Sequence, residues 1–414
     1  MSKSSNRIGT LWVAIALAAS ACGGYANDAD TETISTDIFQ GTSITSTELD
    51  QSGLVAIYHP KLPSFPNFYP RPCSGVIVTS NGGLTTILTA RHCVTTDNSP
   101  FGTLVNASQL RLMRTLSPGA ANPNPPAGAI TPSLVIDKVG DSNDVAVVYA
   151  QVDWTSVGDN RIGLYVGDPR SLVGLSFTAY GYGINVADGS CGKDNNSSGA
   201  GVARSGASFT VTSGAVWQDG EPNSYKFGAS ASSGAALYCG DSGGPDELPF
   251  PAAGRTVLGV HQEGATTVGE VASTAFDFGV QNRIGGLYLT PASQRTSDVM
   301  VGVDSSTAVL KMVGRTSFEQ TTVAYDVPTK LLWISGYACA SASNASPTAR
   351  AVDCNAADTS QQWDVRINGQ LYNAAAGKCL TAGASNLALG PCTTIFFGRI
   401  LYPTASLWLF HAQP

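Results

Sequence analysis

Three short segments of the chain carry residue types that together could activate a serine hydroxyl. Residues 240–245 read Gly-Asp-Ser-Gly-Gly-Pro, and residues 89–93 read Thr-Ala-Arg-His-Cys. A serine hydroxyl is a poor nucleophile at neutral pH, so it needs an imidazole to accept its proton and a carboxylate to hold that imidazole in the correct tautomer. Ser242 and His92 fill the first two of these roles.

The third role falls to an aspartate that precedes a strongly apolar run. Residues 141–148 read Asp-Ser-Asn-Asp-Val-Ala-Val-Val, and such an apolar run is typical of a buried strand. We predict Asp144 as the orienting carboxylate because the apolar run begins directly after it, and Asp141 is the alternative. The three segments therefore predict acyl transfer through Ser242, His92 and Asp144.

The elements that position these residues are predicted to be β-strands. Charged residues make up 13% of the chain, Gly occurs 45 times, and short runs of Thr, Ser and Val are separated by Gly, Pro and Asn. This pattern favours strands over helices. Strand-like runs at 75–78, 145–148 and 257–260 accompany the candidate catalytic segments. At 414 residues the chain is long enough for two or three domains.

The N-terminus has the features of an export signal. Lys3 and Arg7 precede an apolar segment at residues 8–19, which is too short to span a bilayer. Two alternatives remain open: ordinary cleavage of a signal peptide at residues 1–21, or a bacterial lipoprotein signal that leads to lipidation of Cys22. Either route gives a secreted or cell-surface protein, and the lipid would be its only attachment to a membrane.

The cysteines indicate disulfide bonds. Without Cys22 their number is eight, which is even, and an exported chain with an even number of cysteines favours disulfides. Nearest neighbours in sequence would give the pairs Cys73–Cys93, Cys191–Cys239, Cys339–Cys354 and Cys379–Cys392. Eight cysteines allow many pairings, so spacing alone leaves other connectivities open. The chain has no CxxC pair and its four histidines are scattered, so we expect no metal site and no cofactor.

The overall charge of the chain excludes one class of partner. A formal net charge of -7 provides no basic surface for a nucleic-acid backbone. We therefore expect no nucleic acid as a partner, and we expect the protein to be a monomer.

Residues 38–289 resemble the trypsin and chymotrypsin family of serine endopeptidases. Four motifs match in order: Cys-Ser-Gly-Val at 73–76, and the segments at 89–93, 144–146 and 240–245. The resemblance implies a pair of packed six-stranded β-barrels with the triad between them, a disulfide from Cys73 to Cys93, and a protein or peptide substrate. It also implies an oxyanion hole made by the backbone N–H groups of Gly240 and Ser242.

The same resemblance implies activation by cleavage. Asp241 would pair with the amine of a new N-terminus, and residues 38–41, Ile-Phe-Gln-Gly, look like that terminus. The bond to be cut is Asp37–Ile38, at the end of a polar pro-segment at residues 22–37. An acidic residue before the cut bond indicates an acid-preferring activating protease or self-cleavage.

Substrate specificity is where the chain departs from trypsin-like members. The position six residues before Ser242 is Ala236 rather than an acid, so cleavage after Lys or Arg is disfavoured. His261 falls where glutamyl endopeptidases of this fold have a histidine that contacts an acidic side chain. The resemblance thus implies a specificity pocket with Ala236, His261 and Gly264. A pocket for Glu or Asp, a small apolar pocket, and a core role for His261 remain open alternatives.

The last part of the chain, residues 330–414, resembles a degenerate or partial ricin-type β-trefoil. One unit contains Cys354 and the Gln-Gln-Trp run at 361–363, and the next unit begins with Gly-Lys-Cys-Leu at 377–380. Residues 290–329 are either a linker or a degenerate first repeat. The resemblance implies glycan binding. However, residues that usually bind sugar are replaced, so a structural or docking module is the alternative.

These observations predict a secreted or surface-anchored serine endopeptidase that is made as a zymogen. The fold class is all-β, with a chymotrypsin-like double barrel before the trefoil-like region. The competing hypothesis is a non-catalytic surface module that binds carbohydrate or protein on a protease scaffold. It predicts a broken triad or a blocked oxyanion turn.

Overall fold

A computed structural model of the chain describes residues 38, 41–59, 72–81, 83–96, 102–118, 125–137, 144–154, 162–183, 202–216, 225–231, 237, 240–250, 254–264, 270–276, 280–281, 284, 286–294, 299–314, 316–342, 346–383, 385–396, 399–401 and 404–412. Several sequence predictions concern residues outside these ranges: the signal at 1–21, the pro-segment at 22–37, Cys22, Asp141, Cys191, Ala236 and Cys239. Those stay predictions.

Up to residue 291, the described residues form strands joined by short helical turns. The strands are β1 (Thr42–Ser43), β2 (Leu54–Tyr58), β3 (Cys73–Asn81), β4 (Leu84–Thr89), β5 (Arg111–Met113), β6 (Leu134–Asp137), β7 (Ala146–Ala150), β8 (Gly163–Leu164), β9 (Ser176–Gly181), β10 (Arg204–Val216), β11 (Tyr225–Ala231), β12 (Pro245–Phe250), β13 (Gly254–Gly264), β14 (Glu270–Ala275) and β15 (Leu287–Pro291). The predicted runs at 75–78, 145–148 and 257–260 fall in or at β3, β7 and β13.

Further strands follow to the end of the described chain. They are β16 (Val299–Val303), β17 (Leu310–Gly314), β18 (Val323–Asp326), β19 (Leu331–Ile334), β20 (Ala338–Ser341), β21 (Arg350–Val352), β22 (Trp363–Val365), β23 (Leu371–Asn373), β24 (Lys378–Ala382), β25 (Leu387–Gly390), β26 (Thr394–Phe396), β27 (Arg399–Leu401) and β28 (Trp408–Ala412). The 3₁₀ helices are Arg91–Val94, Ala107–Gln109, Pro169–Leu172, Ala292–Gln294, Thr359–Gln361 and Thr404–Ser406.

The α-helix of the described chain, α1 (Ser46–Ser52), is set by its two ends. Thr45 accepts a hydrogen bond from the main-chain N–H of Glu48, and the Glu48 side chain accepts the N–H of Thr45, which is a capping box. Gly53 ends the helix in the left-handed conformation. None of the helices in the described residues is long and apolar enough to cross a membrane.

Six strands of the first half form one sheet, in the order β5, β2, β3, β4, β7, β6. Leu112 on β5 and Ile130, ahead of β6, exchange two main-chain hydrogen bonds of 2.7 Å, which join the two edges of the sheet. All five residues of β2 are buried, as expected for a short apolar strand inside a barrel. This sheet is the first barrel.

A second ring of six strands follows. β9, β10, β11, β14, β13 and β12 pair in that order, and β12 pairs back to β9, which closes the ring. Phe177 packs between Phe209 and Phe227 inside it, at centroid distances of 5.6 and 5.8 Å. The all-β class and the double six-stranded barrel predicted from the sequence are therefore confirmed.

The C-terminal strands form further sheets. β21, β20, β19, β18, β15 and β28 make a six-stranded sheet, β22 to β25 a four-stranded one, and β16–β17 and β26–β27 are hairpins. Residues 290–329, predicted as a linker or a degenerate repeat, contain the end of β15 and all of β16 to β18. The described residues of this stretch therefore include several strands, and the end of β15 pairs with β28.

Two units in the C-terminal part share one local arrangement. The indole of Trp363 donates a 2.9 Å hydrogen bond to the carbonyl of Ala340, and that of Trp408 donates a 2.9 Å bond to Leu380. Each acceptor directly follows a disulfide cysteine, Cys339 or Cys379. The sequence repeat is thus also a structural repeat, and the degenerate or partial trefoil stays a prediction.

Candidate active site

His92 is held at the end of a barrel strand by a covalent bond and by sheet pairing. It lies on the 3₁₀ helix Arg91–Val94, directly after β4. The disulfide between Cys73 and Cys93 ties this helix to the start of β3. The side chain of His92 is only 12% exposed. Of the four predicted disulfides, the structure also forms Cys339–Cys354 and Cys379–Cys392.

Asp144 contacts His92 through both of its carboxylate oxygens. Oδ2 lies 2.7 Å from Nδ1 of the His92 ring, and Oδ1 accepts the main-chain N–H of His92 at 2.8 Å. The Asp144 side chain is fully buried. β7, which begins two residues later, pairs with β4 so that Thr89 faces Ala146, and this register brings the two side chains together. A carboxylate held at Nδ1 fixes the proton on that nitrogen, which makes Nε2 the nitrogen that would accept a proton in catalysis.

The turn that carries Ser242 packs against the same helix. The Ser242 carbonyl oxygen accepts the N–H of Ser74 at 2.9 Å and lies 3.5 Å from the sulfur of Cys93. Ser74 also donates its hydroxyl to the carbonyl of Gly240 at 2.8 Å. The main chain of Ser242 therefore lies beside the 3₁₀ helix that carries His92, and His92 contacts Asp144. The catalytic triad itself stays a prediction.

Glycine is required within this turn. Gly240 has φ of 100°, a conformation that side-chain-bearing residues rarely adopt. A Cβ atom at Gly240 would lie only 2.8 Å from the carbonyl oxygen of Pro72. The backbone N–H of the residue is thereby oriented by a turn that only glycine allows.

Asp241 points into the molecule, away from the turn surface. Its side chain is buried, and its Oδ1 accepts the N–H of Gly183 at 2.8 Å. A Cβ atom on Gly183 would lie 2.6 Å from this carboxylate. Ile38 is also fully buried, next to Gly206. The activation pair of Ile38 with Asp241 stays a prediction.

His261 does not line an open pocket. Its side chain is 1% exposed, and its two ring nitrogens lie 3.0 Å from the carbonyl oxygen of Asp241 and 2.7 Å from Oδ1 of Asp246. This geometry corresponds to the core-histidine alternative rather than to contact with a substrate acid. Of the other two predicted pocket residues, Gly264 ends β13 and Ala236 is outside the described residues.

Two further titratable residues near the site were not identified from the sequence. Asp246 follows the serine motif directly, and His59 follows β2. Burial and the nearby His92 lower the pKa of His59 to about 3, so its ring is neutral at neutral pH. Asp246 and Glu247 are adjacent acids within a strand, and buried carboxylates need partners. This pair was therefore the one sequence feature that could have indicated a buried polar cluster here.

One group of side chains in the described part of the chain has the proximity that a metal site needs. It comprises Cys73, His92 and Cys93. Both sulfurs belong to the disulfide, however, and a metal requires thiolates. The group therefore offers only one usable ligand, the imidazole.

Three solved structures are similar to parts of the chain. HL collagenase is 16% identical with a TM-score of 0.42, and the match covers 60% of this chain and 98% of that one. Neuropsin, a serine protease expressed in the limbic system of mouse brain, is 16% identical with a TM-score of 0.37, covering 57% and 93%. The protease Anisep from Arthrobacter nicotinovorans is 19% identical with a TM-score of 0.39, covering 56% and 93%. No protein-family model and no curated protein sequence matches the chain.

Proposed function

We propose that the protein is a serine endopeptidase that hydrolyses peptide bonds through Ser242, His92 and Asp144. The observation that carries this proposal is the pair of contacts between Asp144 and His92, at 2.7 Å to the ring and 2.8 Å to the main chain. A buried carboxylate engaged on both oxygens orients an imidazole as a general base requires. The turn that carries Ser242 adjoins the same helix.

The reaction proceeds in two halves. Ser242 Oγ attacks the scissile carbonyl while Nε2 of His92 takes its proton, and the proton then passes to the leaving amine as the acyl-enzyme forms. Water, activated in the same way, releases the acid and restores Ser242. Asp144 stabilises the imidazolium in both halves. The N–H groups of Gly240 and Ser242 bind the oxyanion, and removing one oxyanion donor from a serine protease costs about 2.7–4 kcal/mol.

The chain is further proposed to be a zymogen that is activated at Asp37–Ile38. Support comes from the buried carboxylate of Asp241, which lies beneath the turn, and from the burial of Ile38. Cleavage would create a free Ile38 amine, a cation that can form an ion pair with a buried carboxylate. Cleavage would thus stabilise the turn that binds the oxyanion.

A small apolar specificity pocket is better supported than a pocket for Glu or Asp. His261 is buried with both nitrogens engaged, so it does not supply a contact for an acidic substrate side chain. Ala236 supplies no acid for Lys or Arg either. Preference for small apolar residues before the cut bond follows.

Export and a second binding role complete the proposal. Three disulfides favour an oxidising compartment, in agreement with the signal at residues 1–21 and with secretion or a lipid on Cys22. The trefoil-like region at 330–414 would bind a glycan or dock a protein. Retention of the Ser242→Ala chain on immobilised polysaccharide tests the glycan role, and retention unchanged by free sugar would contradict it.

The experiment that tests the proposed function compares the full chain with a chain that begins at Ile38. Both are incubated with a peptide library, and cut sites are determined by mass spectrometry, with Ser242→Ala as the inactive variant and Ser305→Ala, an exposed serine, as the matched control. We expect cuts with wild type and Ser305→Ala only, and faster cutting by the chain that begins at Ile38. Equal cutting by Ser242→Ala, or none from a folded sample, would favour the non-catalytic alternative.

A further inference from the structure

A second histidine–aspartate pair lies beneath the turn that carries Ser242, and no role in the reaction has been assigned to it. Nδ1 of His261 lies 3.0 Å from the carbonyl oxygen of Asp241, and Nε2 lies 2.7 Å from Oδ1 of Asp246. The side chains of His261 and Asp246 are 1% and 0% exposed. The pair is therefore shielded from solvent and close to the nucleophile.

The partners of His261 determine its protonation. A carbonyl oxygen and an ionised carboxylate oxygen both accept hydrogen bonds, so each ring nitrogen carries a proton while Asp246 is ionised. A neutral imidazole has only one N–H, whereas the imidazolium has two. Among the described residues, the Asp246 carboxylate has no other side-chain partner, and its Oδ2 is buried without a hydrogen bond. A buried aspartate of this kind is best matched by a cation, which the imidazolium provides.

The backbone of His261 also holds the turn. Its carbonyl accepts the N–H of Gly243 at 2.8 Å, and its N–H donates to Gly244 at 2.9 Å. Within the turn, the N–H of Gly244 donates to Asp241 at 2.8 Å, so the Asp241 carbonyl receives both this bond and the one from the ring. The peptide group that contains this carbonyl also carries the N–H of Ser242. Fixing the carbonyl thus fixes the direction of that oxyanion donor.

We propose that His261, held as an imidazolium by Asp246, is a positioning residue that orients the Asp241–Ser242 peptide for oxyanion binding. This inference rests on the proposed function. The neutral ring would lose one of its two bonds: either the Asp241 carbonyl would face a lone pair of Nδ1, or Asp246 would face a lone pair of Nε2. In the first case the Asp241–Ser242 peptide loses its hydrogen bond to the ring. In the second case the buried Asp246 carboxylate loses its partner.

The pair also predicts the pH range in which the turn is held. The charged groups that face His261 are Asp246 on β12 and Asp241 in the turn, while β14 places the uncharged Ser273 opposite it in register. Burial alone would lower the pKa of His261, but Asp246 and then Asp241 outweigh burial and raise it. The stabilisation of the turn by protonated His261 is therefore complete below the usual histidine pKa of about 6.5. It is lost as the pH rises through the raised pKa of His261.

Steady-state kinetics of the activated chain test the positioning role. His261→Gln and Asp246→Asn should lower kcat about 10- to 100-fold, as expected when a hydrogen bond from a charged group is lost, with little change in KM. His411→Gln removes another buried, hydrogen-bonded histidine and should leave kcat unchanged. Deprotonation of His261 should lower the kcat of the wild type at alkaline pH, and this decrease should be absent in His261→Gln.

The outcomes separate the two proposals. Wild-type activity that does not depend on Ser242 would overturn the proposed function. Ser242-dependent activity with an unchanged kcat in His261→Gln would overturn the positioning role alone.

Nuclear magnetic resonance decides the protonation even if the variants fold poorly. The full Ser242→Ala chain, labelled with ¹⁵N at its four histidines, is expected to show two ring N–H protons for His261 at pH 7. A single ring proton at that pH would overturn the inference.

Discussion

At the scale of single residues, the candidate site is a set of buried polar groups whose partners come from distant parts of the chain. Asp144 meets His92, Asp246 meets His261, and the Asp241 carboxylate accepts the N–H of Gly183. Burying a polar group is unfavourable unless it is hydrogen-bonded, so these partners are required for folding as well as for chemistry. Asp144 contacts Nδ1 of the His92 ring, whereas the ring nitrogens of His261 lie 3.0 Å from the Asp241 carbonyl and 2.7 Å from the Asp246 carboxylate.

Asparagine at position 144 provides the sharpest test of the orienting carboxylate. Asp144→Asn preserves the shape but places an NH₂ group at His92, which forces the other ring tautomer, so kcat should fall by about 10⁴. Asp153→Asn, an exposed aspartate, serves as the matched control and should be unchanged. Hydrolysis rates at saturating substrate measure both. An unchanged kcat in Asp144→Asn would remove Asp144 from the triad.

The sequence could predict those residues that lie in recognisable motifs. It could not predict those whose roles depend on partners far away along the chain. Ser242, His92 and Asp144 lie in short motifs whose spacing and flanking runs identify them. Asp246 and His59 lie in no motif, because their roles depend on neighbours that only barrel closure supplies. For His261 the sequence left a role in the specificity pocket and a role in the core open. The neighbours that a side chain meets depend on the register of its strand, and a short motif does not reveal that register.

Glu247 allows a stability measurement that is independent of activity. Its side chain is buried, and burial raises its pKa to about 8 despite an ion pair with Arg255 at 2.9 Å. A carboxyl group whose pKa is higher in the folded than in the unfolded protein contributes fully to stability below the unfolded pKa. This contribution is lost as the pH rises to the folded pKa. Glu247→Gln should therefore gain stability over wild type with rising pH, levelling off near pH 8 at a few kcal/mol.

Urea unfolding from pH 4 to 9 measures this difference. Glu48→Gln serves as a control in which stability should change with pH in the opposite direction. Hydrogen bonding by the Thr45 N–H lowers the pKa of Glu48, so the extra stability of the wild type over Glu48→Gln is lost as the pH falls. A pH-independent difference for Glu247→Gln would contradict the prediction.

At the scale of elements, the turn before β12 joins the two barrels. It touches β3 through Ser74 and β13 through His261, so strands of both barrels hold it. Strand runs indicated β-structure, and the double barrel was predicted through the family resemblance of four ordered motifs. It could not decide between a linker and a repeat at 290–329, since the end of β15 is a strand only through pairing with β28, at the other end of the C-terminal part.

A pair of glycine substitutions separates backbone strain from crowding in this turn. Gly240 and Gly174 both have positive φ, at 100° and 86°, so alanine is strained at either, by about 1–2 kcal/mol. Only at Gly240 would the added Cβ meet a neighbour, the Pro72 carbonyl at 2.8 Å, whereas Gly174 has open space. We expect Gly174→Ala to keep its kcat and Gly240→Ala to lose more stability and nearly all activity. Equal effects on both measurements would show that crowding is unimportant.

At the scale of the whole molecule, residues 35–414 form one compact unit, so the C-terminal strands are part of the body that holds the site. Leu409 on β28 packs closely on Gly163 of β8. β8 runs parallel to β13, with Gly163 facing Thr256, and β13 carries His261. A continuous path of packed strands therefore connects the end of the chain with the candidate nucleophile turn.

Truncating a buried tryptophan at this end should consequently affect the site. Trp408 is 2% exposed, and Trp408→Ala is expected to lower the free energy of unfolding by about 3–5 kcal/mol, while Phe318→Ala, at a residue 92% exposed, should have no effect. Urea unfolding is followed by circular dichroism and by the rate of Ser242-dependent hydrolysis. Because the strands are continuous, both midpoints should shift together in Trp408→Ala. Activity that persists after the C-terminal strands have unfolded would show that the barrels are stable without them.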